Sequence, residues 1–268
     1  MTTDDAVDIV DDDGEQLRTT TTTIISDSRE NTHPSSKNKK KRSGRHGARN
    51  ERRHKNLTKW LVDTFAFLRD QSAAAAADGD AVTVLDVAGG KGELAARLTM
   101  CHGIQVIMVD PRLADVPHCF QTTVLTKLPN KWQDRIQQRL NDNPHFVKET
   151  IQSRFRQLVM CFDDRTVVED AALRRAVQES SLLIGMHADS ATETIVNVAL
   201  AHRKPFVVVP CCVFPRLFPQ RTLLVHDTPV PVRTHEQFCQ YLANKHPNFQ
   251  TETLPFEGRN VAIWWDGK

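Results

Sequence analysis

The second half of the chain carries two short segments whose side chains can do chemistry. His187 and Asp189 follow the apolar run SLLIGM, and Glu193 comes shortly after them. Histidine has an unperturbed pKa near ~6.5, so His187 can take a proton from a hydroxyl or nitrogen that reacts beside it. Asp189 can orient the imidazole or bind the reacting group, and Glu193 can join them. The alternative is a buried histidine that only hydrogen-bonds its loop, with Glu193 paired to Ser190 at a helix start.

Two adjacent cysteines, Cys211 and Cys212, follow a second apolar run, PFVVVP. Neighbouring side chains on a strand point to opposite faces, so at most one of the two can face a pocket. A nucleophilic thiolate needs an electropositive setting, and the sequence shows no partner that supplies one. We therefore interpret both as small residues that fit the shape of a site. The chain has no C-x-x-C spacing, which predicts free thiols and no metal site.

A glycine-rich turn in VLDVAGGKGEL, residues 84–94, is the third chemical feature. Glycine lets the backbone approach a ligand closely and adopt positive φ angles. Gly90-x-Gly92, with Asp110 about 20 residues later, fits the dinucleotide-binding fingerprint, so the spacing alone leaves more than one cofactor open. Asp86 argues against a nicotinamide cofactor, because first strands of that kind usually run apolar into the glycines. An unpartnered carboxyl group buried in a strand costs several kcal/mol.

The same stretch resembles motif I of class I S-adenosylmethionine-dependent methyltransferases, whose usual form is hLDhGxGxGxL. The resemblance implies S-adenosyl-L-methionine as the cofactor. The residues that it assigns to the cofactor are Asp86, Ala88, Gly89, Gly90, Gly92, Asp110 and Asp163. Among them, Asp86 lies near the methionine end, Asp110 binds the ribose and Asp163, after the third strand, contacts the adenine.

Three later features together resemble a narrower group, which includes the eukaryotic acceptor-stem tRNA 2′-O-methyltransferases. They are the Gly185-x-His187 loop, the helix start Ala191-Thr192-Glu193 and the pair Cys211-Cys212. The similarity covers residues 55–268, although Ala188-Asp189-Ser190 stands where the group has Cys-Gly. It implies methyl transfer to RNA, with tRNA as the first candidate. The catalytic residues that it implies are His187 and Asp189.

The elements that must position these residues alternate between strands and helices. An apolar run ending at Val87, a helix from Glu93 to Met100 and a strand from Ile104 to Asp110 form a βαβ unit, which predicts parallel strands. Further strands are predicted at 156–162, 181–188, 205–214 and, as two strands joined at Glu257-Gly258, within 248–265; further helices are predicted at 57–68, 130–140, 167–178, 190–203 and 235–245. The pattern predicts an α/β, Rossmann-like fold with a seven-stranded, mostly parallel sheet that ends in an antiparallel hairpin.

The first 54 residues differ from the rest in composition. They are rich in Thr, Ser, Asp and Lys and poor in aromatic residues, which predicts a disordered tail. Residues 1–30 carry nine acidic and two basic side chains, whereas residues 31–56 carry ten basic and one acidic. The formal net charge of +2 therefore hides a basic segment, 31–54, that can bind RNA through phosphate contacts or direct nuclear import. A solvated arm without a specific use is the alternative.

Residues 55–268 form the predicted methyltransferase-like domain, with an insertion at about residues 113–154. No apolar run reaches the ~20 residues of a membrane span and the acidic start is not a secretory signal, so we expect no membrane contact and a cytoplasmic or nuclear location. Three alternatives to an RNA methyltransferase stay open. They are a catalytically inactive RNA-associated protein of the same fold, a protein or small-molecule methyltransferase, and an NAD-dependent oxidoreductase, which Asp86 disfavours.

Overall fold

A computed structural model describes residues 52–69 and 82–268 of the chain. The predicted tail, apart from its last three residues, lies outside the described residues. Helix α1 spans Arg53–Thr64, so it includes the last two residues of the predicted tail. The first turn of this helix carries polar side chains, so the apolar pattern that marks the helix begins only at the buried Leu57. Periodicity therefore gives no signal for where this helix begins.

The predicted seven-stranded sheet with its C-terminal antiparallel pair is confirmed. Its strands are β1 Thr83–Val87, β2 Gln105–Val109, β3 Phe155–Leu158, β4 Leu182–Met186, β5 Phe206–Val209, β8 Gln250–Thr253 and β9 Val261–Trp265. They lie in the order β3-β2-β1-β4-β5-β9-β8. The first five are parallel to one another, while β9 runs antiparallel to both β5 and β8. Short continuous apolar runs such as FVVV are typical of strands buried on both faces.

Helices cover both faces of this sheet. After α1 they are α2 Glu93–His102, α3 Val116–Cys119, α4 Asn130–Asp142, α5 Phe146–Gln152, α6 Asp164–Glu169, α7 Ala171–Glu179, α8 Thr192–Ala201 and α9 His235–Ala243. The single helix predicted at 167–178 is in fact two, because Asp170 caps α7 by accepting a hydrogen bond from the Leu173 N–H. The predicted insertion contains α3, α4 and α5. Within the described ranges no helix is long and apolar enough to cross a membrane.

Alternation along β1 divides the core between the two faces of the sheet. Val84 packs into a cluster with α1, α2 and the insertion, whereas Leu85 packs into a second cluster with α7, α8 and α9. Successive side chains of a strand point to opposite faces, so Asp86 shares the face of Val84. The carboxyl group of Asp86 is thereby held on the α1–α2 side of the sheet, near the carboxyl end of β1.

A two-stranded sheet lies between β5 and α9, where the sequence analysis predicts no strand. Strands β6 (Thr222–Val225) and β7 (Thr228–Pro231) pair antiparallel around a turn at His226-Asp227. Both turn residues have positive φ angles, of 47° and 62°. Proline is tolerated in edge strands, and each strand of a two-stranded sheet is an edge, so Pro229 and Pro231 do not prevent the pairing.

Candidate active site

A cavity of about 850 Å³ opens at the carboxyl ends of β1 and β4. The order of the sheet reverses here, because β2 and β3 lie on one side of β1 while β4 and β5 lie on the other. Open α/β sheets bind ligands at such a switch point. The cavity walls come from the glycine turn, the segment after β2, the first turns of α1 and α2, the α3 region and the end of β4.

The turn after β1 brings bare backbone to the cavity wall. Ala88 and Gly90 have positive φ angles of 57° and 62°. Gly89 has no room for a side chain, because a Cβ there would lie 2.5 Å from Met108 Sδ and 2.6 Å from Asp86 Oδ2. All three residues of the turn line the cavity. The turn therefore forms a cradle in which a ligand can touch the main chain closely.

Asp110, the predicted ribose-binding acid, is 1% exposed directly after β2. It does not itself line the cavity, but it contacts Gly90 and Arg112, which do. Its Oδ2 accepts a hydrogen bond from the Gly90 N–H at 2.9 Å, and its Oδ1 accepts one from the Arg112 N–H at 2.9 Å. Burial acts to raise the pKa of Asp110, but the hydrogen bonds from Arg112 and Gly90 outweigh it and lower that pKa. The carboxylate is therefore ionised at neutral pH and ties the glycine turn to the end of β2.

Asp86 lines the cavity and is 2% exposed. Its Oδ2 has no hydrogen-bond partner within the described part of the chain. Burial, and then the negative charge of Asp110, raise the pKa of Asp86 from 3.8 to about 7. A buried carboxyl oxygen without a partner is costly. Its position at the cavity suits a ligand that brings a positive charge or a hydrogen-bond donor.

The raised pKa of Asp86 predicts that stability depends on pH. The folded chain holds this proton more tightly than the unfolded chain, so the free energy of unfolding falls as the pH rises from about 4 to about 7. Asp86→Asn has no carboxyl group to ionise at this position. The free energy of unfolding of the variant minus that of the wild type is therefore expected to be larger at about pH 8 than at about pH 5, by on the order of 2–3 kcal/mol. Thermal unfolding of both proteins without ligand at the two pH values measures this, and parallel pH curves would contradict it.

His187 follows β4 and lines the same cavity. Its φ angle is 58°, a strained value for a residue with a side chain, and its N–H donates to the Val209 carbonyl at 3.0 Å. Burial, and then the positive charges of Arg53 and His54, lower the pKa of His187 to about 4. The imidazole is therefore neutral at physiological pH and able to accept a proton.

Asp189 lies outside the cavity lining and contacts the two cysteines instead. Its Oδ1 accepts a hydrogen bond from Cys211 Sγ at 3.1 Å, and Cys211 Sγ lies 3.5 Å from Cys212 Sγ. The prediction that the two cysteines point to opposite faces is wrong, because β5 ends at Val209 and both follow Pro210 in irregular backbone. The alternation rule applies only inside the strand.

Three other residues singled out in the sequence have structural contacts of their own. Asp163 caps α6 by accepting a hydrogen bond from the Thr166 N–H at 2.8 Å, and it does not line the cavity. Gly92 sits at the N-terminus of α2 with φ 77°, where a Cβ would lie 2.6 Å from Val116 Cγ2. Glu193 does not reach His187 but pairs with the buried Arg221.

Sequence reasoning missed two basic residues that line the cavity. Arg53 and His54, which it placed in the tail, line the cavity from the first turn of α1. His54 Nδ1 lies 3.0 Å from a carboxylate oxygen of Glu93 at the start of α2. Burial acts to raise the pKa of Glu93, but hydrogen bonds from His54 and Arg97 lower it to about 2. This contact fixes the first turn of α1 to the start of α2, directly after the glycine turn.

A family model described as "Methyltransferase domain" matches residues 59–214, more than half of the chain. The chain belongs to this methyltransferase family. The match runs from α1 past β5 and so includes the glycine turn, Asp110, His187 and the cysteine pair. None of the curated proteins matches the chain significantly. The narrower likeness to the tRNA 2′-O-methyltransferase group is not tested by this match.

Several solved structures are similar to this methyltransferase domain at low sequence identity. The methyltransferase domain of bacterial CtHen1 is 12% identical, with a TM-score of 0.39, over 81% of this chain and 98% of that one. An O-methyltransferase family protein from Burkholderia thailandensis is 13% identical, with a TM-score of 0.34, over 81% of this chain and 60% of that one. An RNA methyltransferase from Salinibacter ruber, in complex with S-adenosyl-L-homocysteine, is 11% identical, with a TM-score of 0.32, over 68% of this chain and 95% of that one. None of these likenesses bears on the substrate of this chain.

S-Adenosyl-L-methionine is the cofactor that the family supports, and the residues of the methyltransferase domain fit it. The unpartnered, buried Oδ2 of Asp86 suits the cofactor's amino group. The main chain of Ala88, Gly89 and Gly90 at the cavity wall suits its chain, and the ionised Asp110, next to the lining residues Gly90 and Arg112, suits its ribose hydroxyls. The cavity of about 850 Å³ is large enough for a drug-sized ligand.

Proposed function

We propose that this methyltransferase uses S-adenosyl-L-methionine to methylate RNA, with tRNA as the first candidate substrate. The observation that carries the cofactor half of the proposal is the unpartnered Asp86 carboxyl group beside the Asp110–Gly90 cradle, at the switch point of the sheet. The cofactor supplies an electrophilic methyl group on its sulfonium. The residues of the chain bind the two reactants, exclude water and handle the acceptor's proton.

His187 suits the role of the group that takes this proton. Its neutral ring has a free nitrogen lone pair at physiological pH, because its pKa is lowered to about 4. His187 would accept the acceptor's proton as the acceptor oxygen or nitrogen takes the methyl group, whose bond to the cofactor's sulfur breaks with the electron pair left on sulfur. The proton would then pass from His187 to water. A base with so low a pKa is weak, so most of the rate enhancement comes from holding the acceptor in line with the sulfonium.

Several basic and aromatic groups support RNA as the acceptor. Arg53, Lys91 and Arg112 line the cavity, and each can contact a phosphate. On helix α4, Ile136 is buried while Trp132 is 41% exposed, with the Arg135 guanidinium 5.7 Å from its ring centroid. Exposed aromatic rings next to arginines are typical of surfaces on which bases stack. The basic segment 31–54 adds phosphate contacts that are independent of sequence.

Transfer of tritium from labelled cofactor into fractionated RNA and protein tests the proposal. We expect label in an RNA fraction, with RNA binding that weakens as salt rises. Removal of residues 1–51 is expected to lower RNA affinity without changing cofactor affinity. The slope of the logarithm of the RNA-binding constant against the logarithm of the salt concentration is expected to become shallower by about 0.7 for each lost phosphate contact. Label in protein alone would point to a protein methyltransferase. Cofactor binding without label in any fraction would favour the inactive RNA-associated protein.

His187→Asn separates chemistry from binding at this site. Asparagine tolerates the positive φ angle of residue 187 but is not a base, so the loop is expected to keep its shape. We expect cofactor affinity within about threefold of the wild type and a methyl-transfer rate about 100-fold lower. The wild-type rate is expected to be insensitive to His187 ionisation between about pH 6 and 8, because its pKa is about 4. An unchanged rate in the variant would leave His187 as a loop residue only.

A further inference from the structure

Asp189, Cys211 and Cys212 bring three metal-ligating atoms together beyond the ends of β4 and β5. The carboxylate oxygen and both sulfurs lie within 4.8 Å of one another, and no other such trio of His, Cys, Asp or Glu side chains occurs within residues 52–69 and 82–268. Cys211 Sγ is 3.1 Å from Asp189 Oδ1 and 3.5 Å from Cys212 Sγ. Residues far apart in the chain thus form a cluster that the spacing of the cysteines does not predict.

Cys211 and Cys212 are both free and partly buried, so their sulfurs are available as ligands. A divalent cation binds cysteine as the thiolate, because the charge of the ion displaces the thiol proton.

We propose that Asp189, Cys211 and Cys212 form a zinc-binding site with three protein ligands. Tetrahedral zinc with bonds of about 2.3 Å to sulfur and about 2.1 Å to oxygen needs sulfurs about 3.8 Å apart and sulfur–oxygen distances of about 3.6 Å. The observed separations of 3.5 Å and 3.1 Å are within about half an ångström of those values. Two sulfur ligands with one carboxylate favour zinc over magnesium or calcium, which take oxygen ligands.

Binding has a defined proton and charge balance. Zn²⁺ replaces the two thiol protons, which leave to solvent, and the two thiolates with the Asp189 carboxylate give the site a net charge of −1. The positive charge of Arg259 acts on Cys212 and offsets part of this charge. Three protein ligands leave the fourth position of a tetrahedral ion to water or to an oxygen of a bound molecule, as in catalytic zinc sites. Because proton release drives the pH dependence, zinc affinity is expected to rise with pH.

Metal titration of the reduced, full-length protein tests this proposal directly. After chelation and reconstitution, we expect one zinc per chain, and a cobalt-substituted protein with the near-ultraviolet charge-transfer band of Co²⁺–thiolate bonds. Cys211→Ser and Cys212→Ser are each expected to lower zinc affinity by at least about 100-fold and to weaken that band. Asp189→Asn is expected to lower the affinity while the band remains. Cys161→Ser, which removes an exposed thiol, is the matched control and is expected to bind zinc like the wild type.

Two results would overturn the zinc site. One is that the wild-type protein, once reduced, binds neither zinc nor cobalt. This result overturns the site also if mass spectrometry shows that Cys211 and Cys212 formed a disulfide before the reduction. The other is metal binding that is unchanged in both cysteine variants. Circular dichroism of each variant shows whether it is folded. Metal content is measured without methyl transfer, so failure of the proposed RNA methylation leaves this test intact, and failure of this test leaves that proposal intact.

Discussion

Asp110→Ala is expected to lower the affinity for S-adenosyl-L-methionine by at least about 100-fold, or about 3 kcal/mol. The lost carboxylate is buried and ionised, so each hydrogen bond that it accepts is charge-assisted and contributes about 1.5–3 kcal/mol. It also holds the Gly90 N–H at 2.9 Å, so its removal loosens the cofactor-binding turn at the same time. Isothermal titration calorimetry with the purified variant measures the affinity.

Asp163→Ala is the matched control for this experiment. The family resemblance predicts that Asp163 contacts the adenine, but its carboxylate caps α6 through Thr166, which does not line the cavity, whereas Asp110 contacts the lining residue Gly90. Loss of the cap is expected to reduce stability by about 1 kcal/mol and to leave cofactor affinity within about threefold. Equal losses of affinity in the two variants would show that Asp110 acts through stability alone. Wild-type affinity in Asp110→Ala would remove Asp110 from the cofactor site.

The centre of the sheet could be predicted from the sequence because strands β1, β2, β4 and β5 are buried on both faces. Runs such as TVLDV and FVVV carry apolar or β-branched side chains at nearly every position, and Gly89 and Gly90 mark the turn after the first strand. The turn also placed Asp86 and Asp110 near one another, because the carboxyl ends of neighbouring parallel strands meet at one edge of the sheet. Local pattern and global fold agree in these elements.

The parts of the site that escaped prediction depend on contacts between distant segments. The first turn of α1 lines the cavity through Arg53 and His54, which lie in a charged run without apolar periodicity. The short distance between the Cys211 and Cys212 sulfurs depends on the exact residue at which β5 ends. The β6–β7 hairpin depends on edge strands that tolerate proline. Such features follow from tertiary packing, which the local pattern of the sequence does not encode.

Glu193 is the clearest case of a residue whose role only the structure shows. Its carboxylate lies 2.5 Å from Arg221 Nε, 2.6 Å from the Tyr241 hydroxyl and 2.7 Å from Lys245 Nζ. Arg221 is 2% exposed, with its guanidinium 3.7 Å and 4.6 Å from the ring centroids of Phe218 and Phe238. Neither the catalytic role nor the Ser190 cap that the sequence suggested for Glu193 is found here.

Glu193→Gln is therefore expected to destabilise the protein strongly, by about 3–5 kcal/mol. The substitution leaves the Arg221 guanidinium buried without a counter-charge, and its Nη2 already has no partner within the described residues. For a domain of this size the loss corresponds to a fall in the unfolding midpoint of about 10 °C. Glu169→Gln, in the exposed Arg165–Glu169 pair, is the control and is expected to change stability by less than about 0.5 kcal/mol.

Arg221→Met is expected to destabilise the protein less than Glu193→Gln does. Methionine fills the space between the two phenylalanine rings, and Glu193 keeps Lys245 and Tyr241 as partners, so the expected loss is smaller, about 1–2 kcal/mol. The double variant is then expected to be no less stable than Glu193→Gln alone, because the orphaned charge is gone. Equal losses from the two single variants, with additive effects in the double variant, would contradict a buried charge as the source of the instability. Because Arg221 Nη1 also donates to the Val213 carbonyl at 2.8 Å, the same guanidinium fixes the segment that carries Cys211 and Cys212.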